Sequence, residues 1–265
     1  MAVEIKVPDI NGILLKTKET YVAEDIAITI GIPTYDYSNT SSMPNTLEQY
    51  LQGELSHIFS DKVTKIAPNR FDKHTDIISV DFPNVTEIER DAFAECANLE
   101  SINLPKLEKI GATAFDSCNK LPSKLIFENV IFVGANFLSS NKTVEVLSFP
   151  KMTTLQGRAL YGANALKTIY LSNIEAVEDY GFYHAHVLTA IIMDNPNKVC
   201  ELKSSANVFR YAYHYLGEVI DVHNPEGLQD GYIYVPDNLL EDYKTATNWS
   251  VFADRFKPLS EWDGE

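Results

Sequence analysis

The cysteines have the most distinctive chemistry in this chain, and two of them share a regular spacing. Cys96 and Cys118 are 22 residues apart, and Cys200 completes an odd total of three. A disulfide or a metal pair between Cys96 and Cys118 would need neighbouring turns of a repeat to bring the two together. Parallel side chains oppose disulfide closure in that geometry, so the spacing favours two small buried thiols. An odd number of cysteines also argues against a disulfide framework.

Histidines are the second group that could bind a ligand, but their spacing matches no zinc motif. The ones that could be drawn together are His184, His186, His214 and His223. We predict no metal site and no cofactor. The sequence has no nucleophile elbow, phosphate loop or paired-carboxylate motif, and its isolated glycines form no G-x-G-x-x-G run. We therefore predict no catalytic residue and no enzymatic activity. The isolated glycines are Gly134, Gly157 and Gly162.

Tyrosine is the residue type whose distribution points to binding. Tyr211, Tyr213 and Tyr215 alternate along the chain and would share one face of a strand. Together with Tyr170 they are our candidate binding surface, because tyrosine combines a rigid apolar ring with a polar tip. The alternative is that these rings pack an irregular coil near the C-terminus. Three further tyrosines fall in the same half of the chain: Tyr161, Tyr180 and Tyr183.

A hydrophobic pattern that recurs about every 22 residues must position these side chains. Seven apolar anchors open successive units, and the spacing is 22 residues except for one step of 23. Such a period is typical of a solenoid, in which each coil completes its core only against its neighbours. The single-residue insertion falls at 122–124. The anchors are Ile58, Val80, Ile102, Leu125, Leu147, Ile169 and Ile191.

Each anchor is expected to lie on a short strand, and the stacked strands would form a parallel β ribbon. Residues that follow the anchors, such as Asp81, Asn103, Ile126, Ser148 and Tyr170, would point to the opposite face. The fold class is therefore an α+β repeat solenoid of about seven 22-residue coils, with strands before the repeats and a capping helix after them.

Three segments divide the chain. Residues 1–44 carry short strand-like runs and end in a polar linker, and residues 45–200 contain a lead-in helix near 46–51 and the solenoid. Residues 201–265 hold an irregular last coil and a cap. We predict that Asp237 or Asn238 caps the final helix and that Glu241 completes a capping box. One face of that helix carries Leu239, Leu240, Tyr243, Ala246 and Trp249.

Composition and charge exclude several classes of function. The formal net charge is −15, and nucleic-acid binding requires clustered Lys and Arg, so we predict no nucleic-acid partner. No apolar run is long enough to span a bilayer, and the first residues do not form a secretory signal. We expect no membrane insertion and synthesis in a cytoplasm.

The unit from Val85 to Pro105 resembles the leucine-rich repeat of the BspA type, with Leu99, Ile102 and Leu104 in its L-x-x-I-x-L positions. It differs from the commoner leucine-rich repeat because Leu107 stands where an Asn or Cys ladder is usual. Residues 231–250 resemble the terminal cap of such proteins from gut bacteria and their phages. Residues 15–28 resemble the attachment segment of phage tail or fibre proteins, and residues 46–51 resemble their lead-in helix.

The resemblance implies a non-enzymatic phage virion protein, from the tail, the fibre or the capsid surface. Residues 1–44 would bind other virion proteins, and the solenoid would contact a host cell-surface protein or glycan. The alternatives are a BspA-type adhesin on the bacterial cell surface and an intracellular interaction scaffold. The sequence leaves the oligomeric state open, including a homo-oligomer.

Overall fold

The structure is a computed structural model of the 265-residue chain. It describes residues 56–58, 61, 63–185, 187–209 and 231–264 with their side chains. For strand residues 21–22, 25–26, 30–31, 59, 211–215 and 218–222 it describes the backbone. The predicted lead-in helix near 46–51 lies outside the described residues.

A parallel ribbon with one strand per coil forms the first side of the solenoid, as predicted. The predicted anchors lie at the centres of these strands and pair in register, as Ile58 does with Val80 and Leu147 with Ile169. The strands are β3 (Ile30–Gly31), β4 (His57–Phe59), β6 (Ser79–Asp81), β8 (Ser101–Asn103), β10 (Lys124–Ile126), β12 (Val146–Ser148), β14 (Thr168–Tyr170), β16 (Ala190–Ile192), β20 (Tyr232–Val235) and β21 (Phe256–Pro258).

The ribbon divides where the sequence has its extra residue. Strands β3, β4, β6 and β8 form one sheet, and β10, β12, β14, β16, β20 and β21 form the next. The insertion at 122–124 shifts the chain just before β10, so the hydrogen-bond register cannot continue from β8. The apolar core crosses this division because Leu121 and Leu125 stay buried.

Two-residue strands form a second ladder on another side of each coil. The outer residue of each pair faces solvent and the inner one joins the core, as in Lys109–Ile110. The strands are β5 (Lys65–Ile66), β7 (Glu87–Ile88), β9 (Lys109–Ile110), β11 (Phe132–Val133), β13 (Thr154–Leu155), β15 (Ala176–Val177) and β17 (Glu201–Leu202).

The core is a set of side-chain columns that run along the solenoid. Equivalent residues from successive coils stack, and the rings of Phe71, Phe93 and Phe115 lie 5.1 and 5.5 Å apart, centroid to centroid. Phe127 stacks on Phe149 in the same way at 5.5 Å. Because every coil contributes to the same columns, one continuous core joins the coils.

The third side of each coil is a turn that uses left-handed backbone at two fixed positions, 11 and 15 residues after the anchor. The backbone φ angle there lies between 55° and 75° in all six coils from Asn69 to His184. This conformation turns peptide N–H groups toward the next coil. Phe93, for example, donates its backbone N–H to the carbonyl oxygen of Ala114 at 2.9 Å.

A polar ladder that the sequence analysis missed closes the corner after the ribbon. It lies four residues after each anchor, one position before the Leu107 slot. Asn129 donates to the carbonyl oxygen of Pro105 at 2.7 Å, and Lys151 donates to the Asn129 side chain at 2.6 Å. The ladder residues are Asn84, Lys106, Asn129, Lys151, Asn173 and Asn195.

The coil that starts at Ile191 is longer than the others because it carries an insertion. Phe209 still stacks on Phe182 at 5.2 Å, and the chain then forms the hairpin of β18 (Tyr211–Tyr215) and β19 (Glu218–Val222). Strand β20 re-enters the ribbon, where Ile233 pairs with Ile191. Ile233 is thus an eighth anchor, and the solenoid has eight coils where the sequence predicted about seven.

The C-terminal cap closes the open end of the core. It contains α1 (Leu240–Thr245), the 3₁₀ helices Asp237–Leu239, Ser250–Arg255 and Leu259–Glu261, and strand β21. The predicted apolar face is confirmed, since Tyr243 and Trp249 are buried and Leu239, Leu240 and Ala246 pack against the core. No helix in the described part of the chain is long and apolar enough to cross a bilayer.

The predicted side-chain N-cap of this helix is wrong. The residues before the helical turns are Pro236 and Leu239, and neither position makes a side-chain capping hydrogen bond. The carboxylate of Asp237 instead accepts the backbone N–H of Ser260 at 3.0 Å, and Glu241 pairs with Lys244 at 2.8 Å. A competing partner from the following turn has therefore taken the cap residue.

At the other end, the part of the N-terminal segment that the structure describes contains three short strands. Strands β1 (Tyr21–Val22) and β2 (Asp25–Ile26) pair with each other, and β3 pairs with the first coil through Ile30 and Ile58. The predicted strand run from Ile26 to Ile30 therefore contributes to two separate strands, and the predicted run at 13–15 lies outside the described residues.

Candidate functional site

A group of aromatic side chains interrupts the polar turn side at the fifth and sixth coils. In the earlier coils, the position 14 residues after the anchor holds small or acidic residues, ending in Ser139. The fifth coil places Tyr161 there and the sixth places Tyr183. Neighbouring coils are about 4.8 Å apart, so aromatic rings in the same position must stack. We name the five residues of this group the tyrosine platform: Arg158, Tyr161, Tyr180, Tyr183 and His184.

The rings of the platform contact one another closely. Tyr161 stacks on Tyr183 with 5.4 Å between centroids, and Tyr180 meets Tyr183 edge to face at 5.1 Å. His184 lies 4.9 Å from Tyr161 and 5.7 Å from Tyr183. All four rings are half-buried, so each keeps part of its surface toward solvent. Such aromatic pairs favour fixed geometry over free rotation.

Arg158 lies against the platform as a cation. Its guanidinium carbon is 5.3 Å from the centroid of Tyr180 and 5.8 Å from that of Tyr183, within cation–π range. Two cations occupy the turn-side positions 11, 14 and 15. Lys73 pairs with Asp72 at 3.5 Å and Glu95 at 3.7 Å, whereas Arg158 has no ion pair with a carboxylate among the described residues.

The backbone holds the platform in place. Arg158, Tyr180 and His184 occupy the left-handed positions, with φ of 62°, 63° and 65°. The backbone N–H of Arg158 donates to the carbonyl oxygen of Tyr180 at 2.9 Å, which locks the two coils together. Asp179 accepts the backbone N–H of Tyr180 at 3.1 Å and the Asn207 amide at 3.3 Å. The side chains therefore project from a backbone that is bonded on both sides.

Of the predicted binding tyrosines, Tyr170 packs against the C-terminal cap. Its hydroxyl accepts the indole N–H of Trp262 at 3.3 Å, and the two rings lie 6.3 Å apart. They belong to a small apolar cluster on the outer face of the ribbon, where Trp262 also covers Tyr234 at 4.7 Å. Half of the Tyr170 surface is thus turned toward the protein's own C-terminal segment.

Tyr211, Tyr213 and Tyr215 lie on strand β18, as the alternation predicted, and their side chains lie outside the described residues. The register still places this strand near the platform. Phe209 stacks on Phe182, and β18 begins two residues later, at the position that follows Tyr183 in the next coil. Binding by these three tyrosines stays a prediction.

The cysteines are buried free thiols, which agrees with the interpretation favoured from their spacing. The Cys96 thiol donates to the carbonyl oxygen of Phe71 at 3.0 Å, and Cys118 repeats this contact with Phe93 at 3.1 Å. Burial raises the pKa of Cys96 and of Cys200 to about 12, and it raises the pKa of Cys118 further. All three thiols therefore stay protonated at neutral pH.

The histidines do not form a metal site in the described part of the chain. His184 belongs to the platform, and no group of three His, Cys, Asp or Glu residues there could hold an ion. His186 and His223 lie outside the described residues, and His214 is described only by its backbone in β18.

The sequence analysis counted the platform tyrosines but did not select them. It followed the apolar positions of the repeat, whereas Tyr161 and Tyr183 occupy a position that is polar or small in the earlier coils. The signal available in the sequence was the spacing of 22 residues between these tyrosines and between Arg158 and Tyr180. Side chains with that spacing lie on adjacent coils.

Several solved structures are similar to this chain at low sequence identity. A leucine-rich repeat protein from Bacteroides ovatus is 16% identical, with 85% of this chain and 71% of that protein covered and a TM-score of 0.43. The pneumococcal vaccine antigen PcpA is 16% identical, with 78% and 41% covered and a TM-score of 0.45. A leucine rich cell surface protein from Faecalibacterium prausnitzii is also 16% identical, with 63% and 66% covered and a TM-score of 0.31. This chain therefore spans about two fifths of PcpA.

No curated protein matches the chain in sequence. Residues 64–189 match the family described as "BspA type Leucine rich repeat region", in six copies. This range contains the tyrosine platform, both paired cysteines and most of the coils. The repeat that the sequence resembled is thus the one that the structure builds, and residues 64–189 of this chain are a BspA-type leucine-rich repeat region.

Proposed function

We propose that this protein is a non-enzymatic binding protein whose solenoid presents the tyrosine platform to a partner on a cell surface. The observation that carries the proposal is the packing of four half-exposed rings and one arginine on two adjacent coils. Tyrosine and arginine are the residues that most often dominate binding energy at interfaces.

The rigidity of the platform supports binding more than a flexible aromatic patch would. Its rings contact one another, and the backbone of Arg158 and Tyr180 is hydrogen-bonded between coils. A partner would therefore lose little free energy in ordering these side chains, and preorganisation of this kind increases affinity.

The non-enzymatic part of the proposal rests on the chemistry of the available nucleophiles. The three thiols are buried, and the raised pKa of each keeps it in the unreactive protonated form. Repeat solenoids bind partners through extended surfaces without catalytic groups. A binding role uses what this fold offers.

Adhesion at a bacterial cell surface is the setting that we favour, because residues 64–189 belong to the BspA type of repeat. The virion role stays a prediction. It depends on the resemblance of residues 15–28 to phage attachment segments, most of which lie outside the described residues. Mass spectrometry of purified phage particles tests it directly, since a virion protein must be recovered there and an adhesin must be recovered from uninfected cells.

The binding proposal is tested with fluorescently labelled protein on cultured intestinal epithelial cells and on whole gut-bacterial cells. The variant Tyr161→Ser/Tyr183→Ser removes both stacked rings and keeps the fold, because Ser139 occupies the same position in the preceding coil. The matched control is Phe132→Thr, which removes an exposed ring from the second ladder, where the next coil has Thr154.

The expected result is binding of the wild type to at least one cell type and a loss of about tenfold or more for the double variant. The control variant should bind like the wild type. Absence of binding to both cell types, or an equal loss for Phe132→Thr, would contradict the proposal.

A further inference from the structure

We infer that the tyrosine platform binds a glycan that carries a carboxylate group, and that Arg158 is the residue that recognises the carboxylate. The inference rests on the proposed function, because it assigns a ligand class to the same surface. It adds what the surface recognises, which neither the family nor the fold specifies.

The first argument is the charge of Arg158 in its surroundings. The chain has a formal net charge of −15, and most cations on the solenoid surface are paired with carboxylates, as Lys65 is with Glu87 and Lys167 with Glu145. Arg158 is exposed and makes no ion pair with any described carboxylate. An arginine that remains unpaired in such an acidic protein is available to an anion from outside.

The second argument is the orientation of the guanidinium group. Its position over the rings of Tyr180 and Tyr183 uses the electron-rich ring faces and fixes the group as a plane. The N–H donors lie at the edges of that plane, and two of them match the two oxygens of a carboxylate. Stacking therefore leaves the carboxylate-binding edge free.

The third argument concerns the acid nearest to the platform. Asp179 precedes Tyr180 and would neutralise Arg158 if its side chain turned toward it. One oxygen of Asp179 instead accepts the backbone N–H of Tyr180, and the other accepts the amide of Asn207 in the next coil. The local hydrogen bonds thus keep this carboxylate engaged elsewhere.

The composition of the surface favours a sugar over a peptide. Peptide recognition relies on apolar side chains that fill pockets, and the large exposed hydrophobic residues of the described chain are Ile126, Ile131, Phe132 and Val251, none of which belongs to the platform. The platform offers flat rings with hydroxyl tips. A pyranose presents an apolar C–H face to such a ring and hydroxyl groups to its polar edge.

The test uses isothermal titration calorimetry with two acidic probes and their neutral counterparts. The first pair is trigalacturonic acid and its methyl ester, and the second is 3′-sialyllactose and lactose. The protein variants are Arg158→Asn and Arg158→Lys, with Arg90→Gln as the control for removal of an exposed arginine. Asn fits position 158 because Asn69 and Asn136 occupy the same left-handed position in other coils.

We expect at least one acidic probe to bind about tenfold or more tightly than its neutral counterpart. Arg158→Asn should abolish that difference, so the acidic and neutral probes bind it equally. Arg158→Lys should lose several-fold, because an ammonium group cannot form the two parallel hydrogen bonds. Arg90→Gln should bind like the wild type, and thermal unfolding confirms that each variant is folded.

Two outcomes would overturn the inference. One is that neither acidic probe binds more tightly than its neutral counterpart, and the other is that the preference for the acidic probe survives in Arg158→Asn. Platform-dependent binding to cells together with either outcome would leave the proposed function standing and remove the ligand class alone. Failure of cell binding together with Arg158-dependent glycan binding would instead remove the cell-surface setting.

Discussion

At the scale of single residues, the least expected feature is the left-handed backbone of the turn side. Eleven of its twelve positions carry residues other than glycine, including Thr113, Lys73 and Glu95. Such residues pay a conformational cost of about 1 kcal/mol at positive φ. The sequence could not predict these positions, because that signal is normally Gly or Asn and Gly162 is the only glycine among the twelve.

A glycine at a left-handed position should therefore stabilise the protein. Glu95→Gly relieves the strain at φ 57° and loses only an exposed ion pair with Lys73. We expect a gain of about 0.5–1 kcal/mol in the free energy of unfolding, measured by urea denaturation. Ala97→Gly, two residues further and also exposed, lies at an ordinary φ and should lose a similar amount. A loss of stability for Glu95→Gly equal to that for Ala97→Gly would be inconsistent with backbone strain.

The buried thiols give a second prediction at this scale. Cys96, Cys118 and Cys200 are buried, and their raised pKa leaves almost no thiolate at pH 8. Ellman's reagent should label no thiol of the native protein within minutes and all three in concentrated urea. Rapid labelling of even one thiol in the native protein would show that the core column is open at that coil.

At the scale of elements, the anchors predicted the ribbon strands because apolar residues at a fixed period must face the same interior. Where the chain departs from its period, prediction failed. The coil after Ile191 contains a hairpin, so its next anchor, Ile233, is 42 residues away and the eighth coil was missed. The cap residue was missed because Asp237 has a competing partner, Ser260, that is distant in sequence.

The cap itself depends on two side chains that bond to one peptide unit region of the last long coil. The Trp249 indole donates to the carbonyl oxygen of Cys200 at 2.6 Å, and the Tyr243 hydroxyl accepts the backbone N–H of Cys200 at 2.9 Å. Both side chains are buried, so these backbone groups have no access to water. The cap therefore satisfies the backbone of the coil that it covers.

Replacement of Trp249 should consequently destabilise the protein in two steps. Trp249→Phe keeps most of the ring but leaves the Cys200 carbonyl without its donor, which costs about 1–3 kcal/mol. Trp249→Ala also opens a cavity and should cost about 3–5 kcal/mol. Urea unfolding measures both, with the exposed Val251→Ala as control. If Trp249→Phe were as stable as the wild type, the hydrogen bond would contribute nothing to the cap.

At the scale of the whole molecule, the net charge of −15 is the dominant electrostatic feature. The ion pairs on the surface are exposed, as between Lys120 and Glu100 at 3.2 Å, and such pairs contribute little to stability. Repulsion among the excess carboxylates destabilises the folded chain at neutral pH, because folding brings them closer together.

Salt should therefore stabilise the protein at neutral pH. Raising NaCl from about 20 to 300 mM shortens the screening length from roughly 20 Å to below 10 Å, and we expect the midpoint of thermal unfolding at pH 7 to rise by about 2–4 °C. Near the isoelectric point of about 4.8 the rise should vanish, because the net charge does. A fall in the midpoint at pH 7 would mean that the surface ion pairs outweigh the net repulsion.

The central claim is that the tyrosine platform is the binding surface, and fluorine NMR of protein labelled with 3-fluorotyrosine tests it most directly. Signals are assigned with single Tyr→Phe variants, and Tyr243, buried in the cap, serves as the internal reference. During titration with the acidic probe that binds in calorimetry, the signals of Tyr161, Tyr180 and Tyr183 should shift and that of Tyr243 should not. Shifts confined to tyrosines outside the platform would contradict the account.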